Sequence, residues 1–281
     1  MKKDKTEKEK FYFLAIIRKI KTSVYVFTDN VNFKLKVSDK VIIQIDGKYE
    51  VGILAEKIIA FDEQSDLKTK KLYKIIRKCT DKDIEIIKNN SIQAKMIMEK
   101  CNSVIVTHNM KSVMKITDIE LVFSGDKFII YYTSEDRVDF RELLKSLNKI
   151  LMVKVQMVQI GVRDEVKIKG SLGQCGNVVC CKRFLNKIKP VVVNTIKEQE
   201  LFIRSNKISG VCQRLMCCIE FESETYRDLI SRMPSCGMQC ETPYGKGKVE
   251  ARRLLKEEVD VELEDGTKKT LNLKDIKFDK K

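Results

Sequence analysis

The sequence predicts a mixed α+β protein with a small β module near each end. Two observations predict this class. Runs of β-branched and aromatic residues flank short Asp-Gly turns near both ends of the chain. Between them, apolar residues recur at helical spacing, and strands and helices then alternate. At 281 residues, 43% of them apolar, the chain can form two or three domains with buried cores.

The N-terminal part is predicted to be a charged tail followed by a β module. Residues 1–10 are dominated by charged side chains, which is typical of a disordered tail. The β module is predicted at 11–60, where Asp46 and Gly47 form the tight turn of a hairpin. Its predicted strands cover residues 11–20, 24–27, 41–45 and 49–54.

Residues 61–160 are predicted to form an α+β domain. A helix begins at Asp81, and one buried face of it carries a regular apolar stripe. A hairpin at 116–132, a helix at 138–150 and a strand at 152–160 follow, an order that implies an α+β layer. The stripe consists of Ile84, Ile87, Ala94, Met98, Cys101, Ile105 and His108.

The chemically reactive side chains of this domain are predicted to be structural. Cys79 and Cys101 are isolated in sequence, and Cys101 lies on the apolar stripe, so both are interpreted as ordinary core or surface cysteines. His108 is the only histidine of the chain and closes the same stripe, which favours a half-buried residue at a helix end. No nucleophile and base pair, phosphate-binding loop or carboxylate metal site occurs in the sequence. We therefore predict a protein that is not an enzyme.

Residues 236–281 are predicted to form an SH3-like β module, a small half-open β-barrel. Apolar and polar residues alternate at 259–263 and 271–273, on either side of a turn at Asp265 and Gly266. Positive and negative charges nearly balance here, so the module gives only a weak signal for nucleic-acid binding.

The charge of the chain favours a polyanionic partner, and its lack of targeting segments favours a cytoplasmic location. Lys and Arg number 55 and Asp and Glu 40, a formal net charge of +15. The segment 161–214 holds 11 of these cations and only 4 of the acids, so this basic surface could contact RNA. No signal peptide or run of about 20 apolar residues is evident, and we expect a cytoplasmic protein without membrane insertion.

The most specific feature is a duplicated cysteine motif in a cysteine-rich segment predicted at 161–235. Two C-x4-C-C patterns follow one another at an interval of 37 residues. Iron–sulfur clusters accept such spacing, whereas zinc sites usually use C-x2-C, which is absent. Adjacent side chains point apart, so one cysteine of each vicinal pair can face inward and the other a partner. The predicted cluster ligands are Cys175, Cys180, Cys181, Cys212, Cys217 and Cys218.

Other interpretations of these thiols remain open. Six thiolates could hold zinc, and a zinc-stabilised RNA-binding protein is the alternative function. They could also be reduced structural or redox-active thiols, although no thioredoxin-like C-x2-C is present. Cys236 and Cys240 could add ligands or cap the site.

Several short motifs together carry a resemblance to a known family. They are residues 138–141, 159–164, 173–176, 180–181, 197–199, 207–210, 214–218 and Tyr226. In these motifs the chain resembles the RicT family, also called YaaT or stage-zero sporulation protein T, which carries the polymerase-suppressor-type C-terminal domain. This sequence departs from the family at Gln174 and Gln213, where the family usually has proline and glycine.

The resemblance implies a non-enzymatic adaptor that binds two small helical proteins, RicA and RicF, in a complex with one or two 4Fe–4S clusters. It also implies that the six motif cysteines ligate these clusters, which partners can share. Such a complex is associated with RNase Y in mRNA maturation, and through it with sporulation, biofilm formation and competence.

Overall fold

A computed structural model describes residues 11–20, 22–30, 34–58, 71–185, 188–201 and 205–278. The predicted tail at 1–10 lies outside these residues. The chain divides into two compact units between Ser171 and Leu172. Within the described residues, no helix combines the length and the apolar composition needed to cross a membrane.

The first unit begins with a closed five-stranded barrel. The strands follow one another in the order β1-β2-β5-β3-β4, and β2 and β5 form the one parallel pair of this barrel. The last strand lies beyond residue 60, so the barrel extends past the predicted boundary of the module. The strands are β1 (Phe11–Ile17), β2 (Thr22–Thr28), β3 (Lys40–Ile45), β4 (Lys48–Ile58) and β5 (Leu72–Lys78).

The predicted hairpin turn joins β3 to β4. Asp46 and Gly47 have φ angles of 49° and 80°, so both central residues are in the left-handed region. This is the type I′ geometry, whose twist matches that of the flanking strands. Ile45 pairs with Lys48 across the turn, and the prediction is confirmed.

A three-stranded sheet with two helices on one face follows the barrel. Strand order is β6-β7-β8, with β7 and β8 parallel. Helix α2 begins at Arg141, three residues later than predicted. The elements are α1 (Asp81–Thr107), β6 (Lys115–Leu121), β7 (Lys127–Thr133), α2 (Arg141–Leu151) and β8 (Lys154–Gln159), and helix α3 (Val162–Lys169) closes the unit.

Helix α1 carries the predicted buried stripe. Ala94, Cys101 and Ile105 are buried in the core between α1 and the sheet. His108 caps the C-terminal end of the helix, half-buried, with its Nε2 atom 3.0 Å from the Ser146 hydroxyl. The structural interpretation of Cys101 and His108 is therefore confirmed. The helix starts at a reciprocal cap between Thr80 and Asp83, which the sequence analysis did not predict.

A polar cluster links the β1–β2 turn to the sheet of the first unit. Lys19 donates from Nζ to Asp118, 2.7 Å away, and from its backbone N–H to Glu120 at 3.2 Å. The hydroxyl of the fully buried Tyr131 donates to Glu120 at 2.7 Å. Burial raises the pKa of Glu120 above its usual value, although the hydrogen bonds from Tyr131 and Lys19 oppose that shift.

The second unit contains the cysteine motifs and a four-stranded antiparallel sheet. Strand order is β12-β11-β10-β9. An isolated antiparallel bridge also pairs Lys277, after β12, with Glu241 of β9. The helices are α4 (Cys180–Arg183), α5 (Val193–Glu198), α6 (Ser205–Ile208) and α7 (Cys217–Arg232). The strands are β9 (Gln239–Thr242), β10 (Gly245–Arg253), β11 (Glu258–Leu263) and β12 (Lys268–Asn272).

Helix α7 joins the cysteine-rich segment to this sheet. Tyr226 and Leu229 pack in one core with Val249, Val259 and Val261. Because α3 belongs to the first unit and α7 shares the core of the sheet, the segment 161–235 is not a compact body of its own.

Candidate thiolate site

The two cysteine motifs adopt the same local structure. In the first copy, the Gly173 N–H donates to Asn177 O at 2.8 Å. In the second, the Gly210 N–H donates to Arg214 O at 2.9 Å. An isolated antiparallel bridge closes each short hairpin, and a helix begins at the first residue of each vicinal cysteine pair. The sequence repeat is therefore also a structural repeat.

A small apolar core supports the second hairpin. Ile196, Ile208 and Ile219, one from each of α5, α6 and α7, pack together, and Leu215 of the second hairpin packs against them. The buried side chain of Gln199 donates from Nε2 to Ile219 O at 2.6 Å, which fixes the start of α7. Gln174 donates to Ser209 O at 3.0 Å and so connects one hairpin to the other.

The first thiol of each motif lies at the tip of its hairpin. Cys175 is exposed, and hydrogen bonds from the backbone and side chain of Asn177 lower the pKa of its thiol. Cys212 occupies the equivalent position and is partly exposed. A Cβ added to Gly173 would lie 3.4 Å from the Cys175 sulfur, and one added to Gly210 3.7 Å from the Cys212 sulfur. At Cys175 the hydrogen bonds from Asn177 favour the thiolate, the form that binds metals.

The vicinal cysteines differ in exposure. Cys180 is partly exposed, whereas its neighbour Cys181 is only 4% exposed. Of the two vicinal cysteines expected to reach the surface, Cys181 or Cys218, Cys181 does not, because its side chain points into the core when that of Cys180 points out. Cys218 is partly buried, and burial followed by the proximity of Cys180 raises the pKa of its thiol. Cys180 and Cys218 thus lie near each other although they belong to different copies.

The six motif cysteines do not form a complete metal site within the described part of the chain. No group of three or more His, Cys, Asp or Glu side chains there could hold a metal ion. Cys240 is buried in the sheet core with its sulfur 3.6 Å from Gly247 O, and Cys236 is exposed. The donor chemistry suits a thiolate-bound metal, but the geometry of the single chain does not supply four ligands in one place.

The structure also reveals an aromatic pair that the sequence analysis missed. Phe184 and Phe221 each lie four residues after the first cysteine of a vicinal pair, and their ring centroids are 5.2 Å apart with the planes at 67°. Extending the alignment of the two motifs by three residues would have shown that the repeat includes these phenylalanines.

Comparison with known proteins identifies the class of protein to which this fold and site belong. Residues 73–160 match the PSP1 C-terminal conserved region, and residues 190–233 match the third domain of PSP1-like proteins. The first match covers β5 to β8 of the first unit, and the second covers α5 to α7 with the second cysteine motif.

Stage 0 sporulation protein YaaT of Bacillus subtilis strain 168 is 35% identical to the chain over 242 residues, covering 85% of this chain and 86% of that protein. The chain belongs to the YaaT family, a regulatory family with a role in sporulation. The identification made from the sequence motifs is therefore confirmed. No solved structure matches the chain.

Proposed function

We propose that the chain is a non-enzymatic iron–sulfur adaptor subunit that binds RicA-like and RicF-like helical proteins in the cytoplasm and modulates RNase Y-dependent mRNA processing. The observation that carries this proposal is the duplicated cysteine hairpin, conserved in its hydrogen bonds between the two copies. Membership of the YaaT family supports a regulatory role in sporulation. Effects on biofilm formation and competence would follow from the same mRNA processing.

The six motif thiols would hold the cluster. Cys175 and Cys212 would bind it from the hairpin tips, and Cys180 and Cys217 from the first residues of the helices. When bound, a 4Fe–4S cluster would supply sensitivity to oxygen and iron. Because three thiols do not converge in the described chain, ligands from a partner would complete the coordination. Of the vicinal cysteines, the partly exposed Cys218 is better placed than the buried Cys181 to reach a partner.

The test is anaerobic purification of the chain, alone and with the two partners, followed by a visible spectrum and by iron, sulfide and zinc analysis. We expect iron and acid-labile sulfide, with a broad absorbance at about 400 nm. Colourless protein with stoichiometric zinc would overturn the proposal and favour the zinc-stabilised RNA-binding alternative.

Serine variants separate the motif cysteines from the others. Cys175→Ser and Cys212→Ser should lose iron, because a hydroxyl is a much weaker ligand than a thiolate. Cys79→Ser and Cys101→Ser are the matched controls and should retain it. Equal iron loss in both groups would show that the site is assigned to the wrong cysteines.

Exposure of the complex to air tests the sharing of the cluster. Loss of iron–thiolate bonds that span two chains should release the partners, so the anaerobic complex should dissociate in oxygen. The Cys218→Ser variant should weaken assembly without oxygen. An assembly that is unchanged in both cases would show that the cysteines serve this chain alone.

A further inference from the structure

The two copies of the cysteine motif face each other through equivalent residues. Phe184 and Phe221 occupy the same position in the repeat, and their rings are in contact. When repeats are related by translation along the chain, a residue of one copy contacts a different position in the next copy. When two copies are related by a two-fold axis, equivalent residues contact each other. The hairpins and helix starts around this ring contact therefore repeat the same backbone structure on both sides.

This aromatic pair is also exposed. Phe184 is 47% and Phe221 58% accessible to solvent, although large aromatic side chains are usually buried. A groove beside Phe221 combines the apolar Leu185 and Ile188 with Cys217 and with the polar or charged Lys189, Glu220, Ser223 and Glu224. Exposed aromatic residues beside a groove with an apolar part and a charged rim are typical anchors of protein interfaces. Such a groove accepts an amphipathic helix, whose apolar face meets the apolar part and whose polar residues meet the rim.

The charges break the symmetry of this surface. Arg183 precedes Phe184, and Glu220 precedes Phe221, so equivalent positions of the two copies carry opposite charges. Arg183 is exposed and Glu220 is partly exposed. If two identical chains docked on the two copies, each would place the same charged group at this position. A group that attracts Arg183 on one copy would then be repelled by Glu220 on the other.

We propose that Phe184 and Phe221 are twin anchors for a two-fold dimer of two similar but non-identical helical chains, one docked on each motif copy. The chain on the Phe184 side carries an acidic group opposite Arg183, and the chain on the Phe221 side a basic group opposite Glu220. This inference rests on the proposed function for the existence of two helical partners, and adds which surface each partner occupies and why the two must differ.

The experiment is photo-crosslinking in the full-length complex. Phe184 or Phe221 is replaced by p-benzoylphenylalanine, and the complex with the RicA-like and RicF-like chains of the same organism is irradiated under anaerobic conditions. We expect the two positions to capture different chains, with one of each per copy of this protein by native mass spectrometry. Leu255, 66% exposed in the same unit but outside the repeat, is the matched control position and should capture neither.

Affinity measurements add an independent readout. Phe184→Ala and Phe221→Ala should each weaken binding of the pair about tenfold or more, whereas Leu255→Ala should not. Arg183→Glu should weaken contact with the chain captured at 184, and Glu220→Lys with the chain captured at 221. Hydrogen-exchange protection of the Gly173 and Gly210 N–H groups should be unchanged in the free chain of all four interface variants, which shows that both cysteine hairpins remain folded.

The outcomes distinguish this inference from the proposed function. A complex that forms while both positions capture the same chain, or while neither captures any, overturns the inference and leaves the proposed function standing. Failure of the unmodified protein to bind the two chains overturns the proposed partners, and the twin-anchor surface with them.

Discussion

Exchanging the residue types at the tips of the two cysteine hairpins should change their stability in opposite directions. Gly176 follows Cys175 with φ at 76°, and Gln213 follows Cys212 with φ at 59°. A residue with a Cβ pays about 1–2 kcal/mol to adopt this left-handed conformation. Glycine loses more backbone entropy on folding, which offsets about 0.4–1 kcal/mol of that difference.

In Gly176→Ala, the cost of the left-handed backbone conformation is the only expected effect, because the added Cβ meets no neighbouring atom. No atom lies within 4 Å of the position where its Cβ would be, so Gly176→Ala introduces no steric clash. We expect Gly176→Ala to destabilise the first hairpin by about 1 kcal/mol, and Gln213→Gly to stabilise the second by a similar amount. Hydrogen exchange is the suitable assay because a chain of two units need not unfold in a single step.

The exchange of two amides reports the effect. Protection of the Gly173 N–H should fall about fivefold in Gly176→Ala, and protection of the Gly210 N–H should rise about fivefold in Gln213→Gly. Gly125→Ala is the matched control, since Gly125 has φ at 74° and an equally open Cβ position in the first unit. It should lower protection only in the β6–β7 hairpin. Unchanged protection of both cysteine hairpins would refute the reasoning from backbone conformation.

Three further predictions concern titration and burial. The raised pKa of Glu120 means that its contribution to stability is present below the unfolded-state pKa and is lost as pH rises through the folded value. The free energy of unfolding, measured from pH 4 to 7, should therefore fall in the wild type relative to Glu120→Gln. Parallel plots of this free energy against pH for the two proteins would contradict the prediction. Iodoacetamide should alkylate the exposed Cys175, whose pKa is lowered, well before the buried Cys101, whose pKa is raised to about 11; mass spectrometry that finds equal rates would contradict the assigned environments. Asp83→Ala should cost about 1–2 kcal/mol in urea unfolding of the first unit, because it removes the carboxylate that accepts from the Thr80 N–H in the capping box and that pairs with Arg77; a loss as small as that of the exposed control Asp81→Ala would contradict this role.

The sequence by itself determined the features that depend on neighbouring residues. The Asp46-Gly47 hairpin follows from residues that tolerate positive φ, and the buried face of α1 follows from helical periodicity. The duplicated motif is visible as spacing alone, and its two copies fold alike because each hairpin is closed by hydrogen bonds within a few residues. Family membership could be read from the same motifs.

Only the tertiary structure decided the features that join distant residues. Strand β5 completes the barrel by pairing with β2 and β3, and no local pattern specifies partners so far away in sequence. The burial of Cys181 but not Cys180 depends on what packs against α4, and the contact of Phe184 with Phe221 depends on how the two copies meet. Local periodicity predicts which face of an element is buried, whereas the elements that cover that face are selected by the packing of the whole unit.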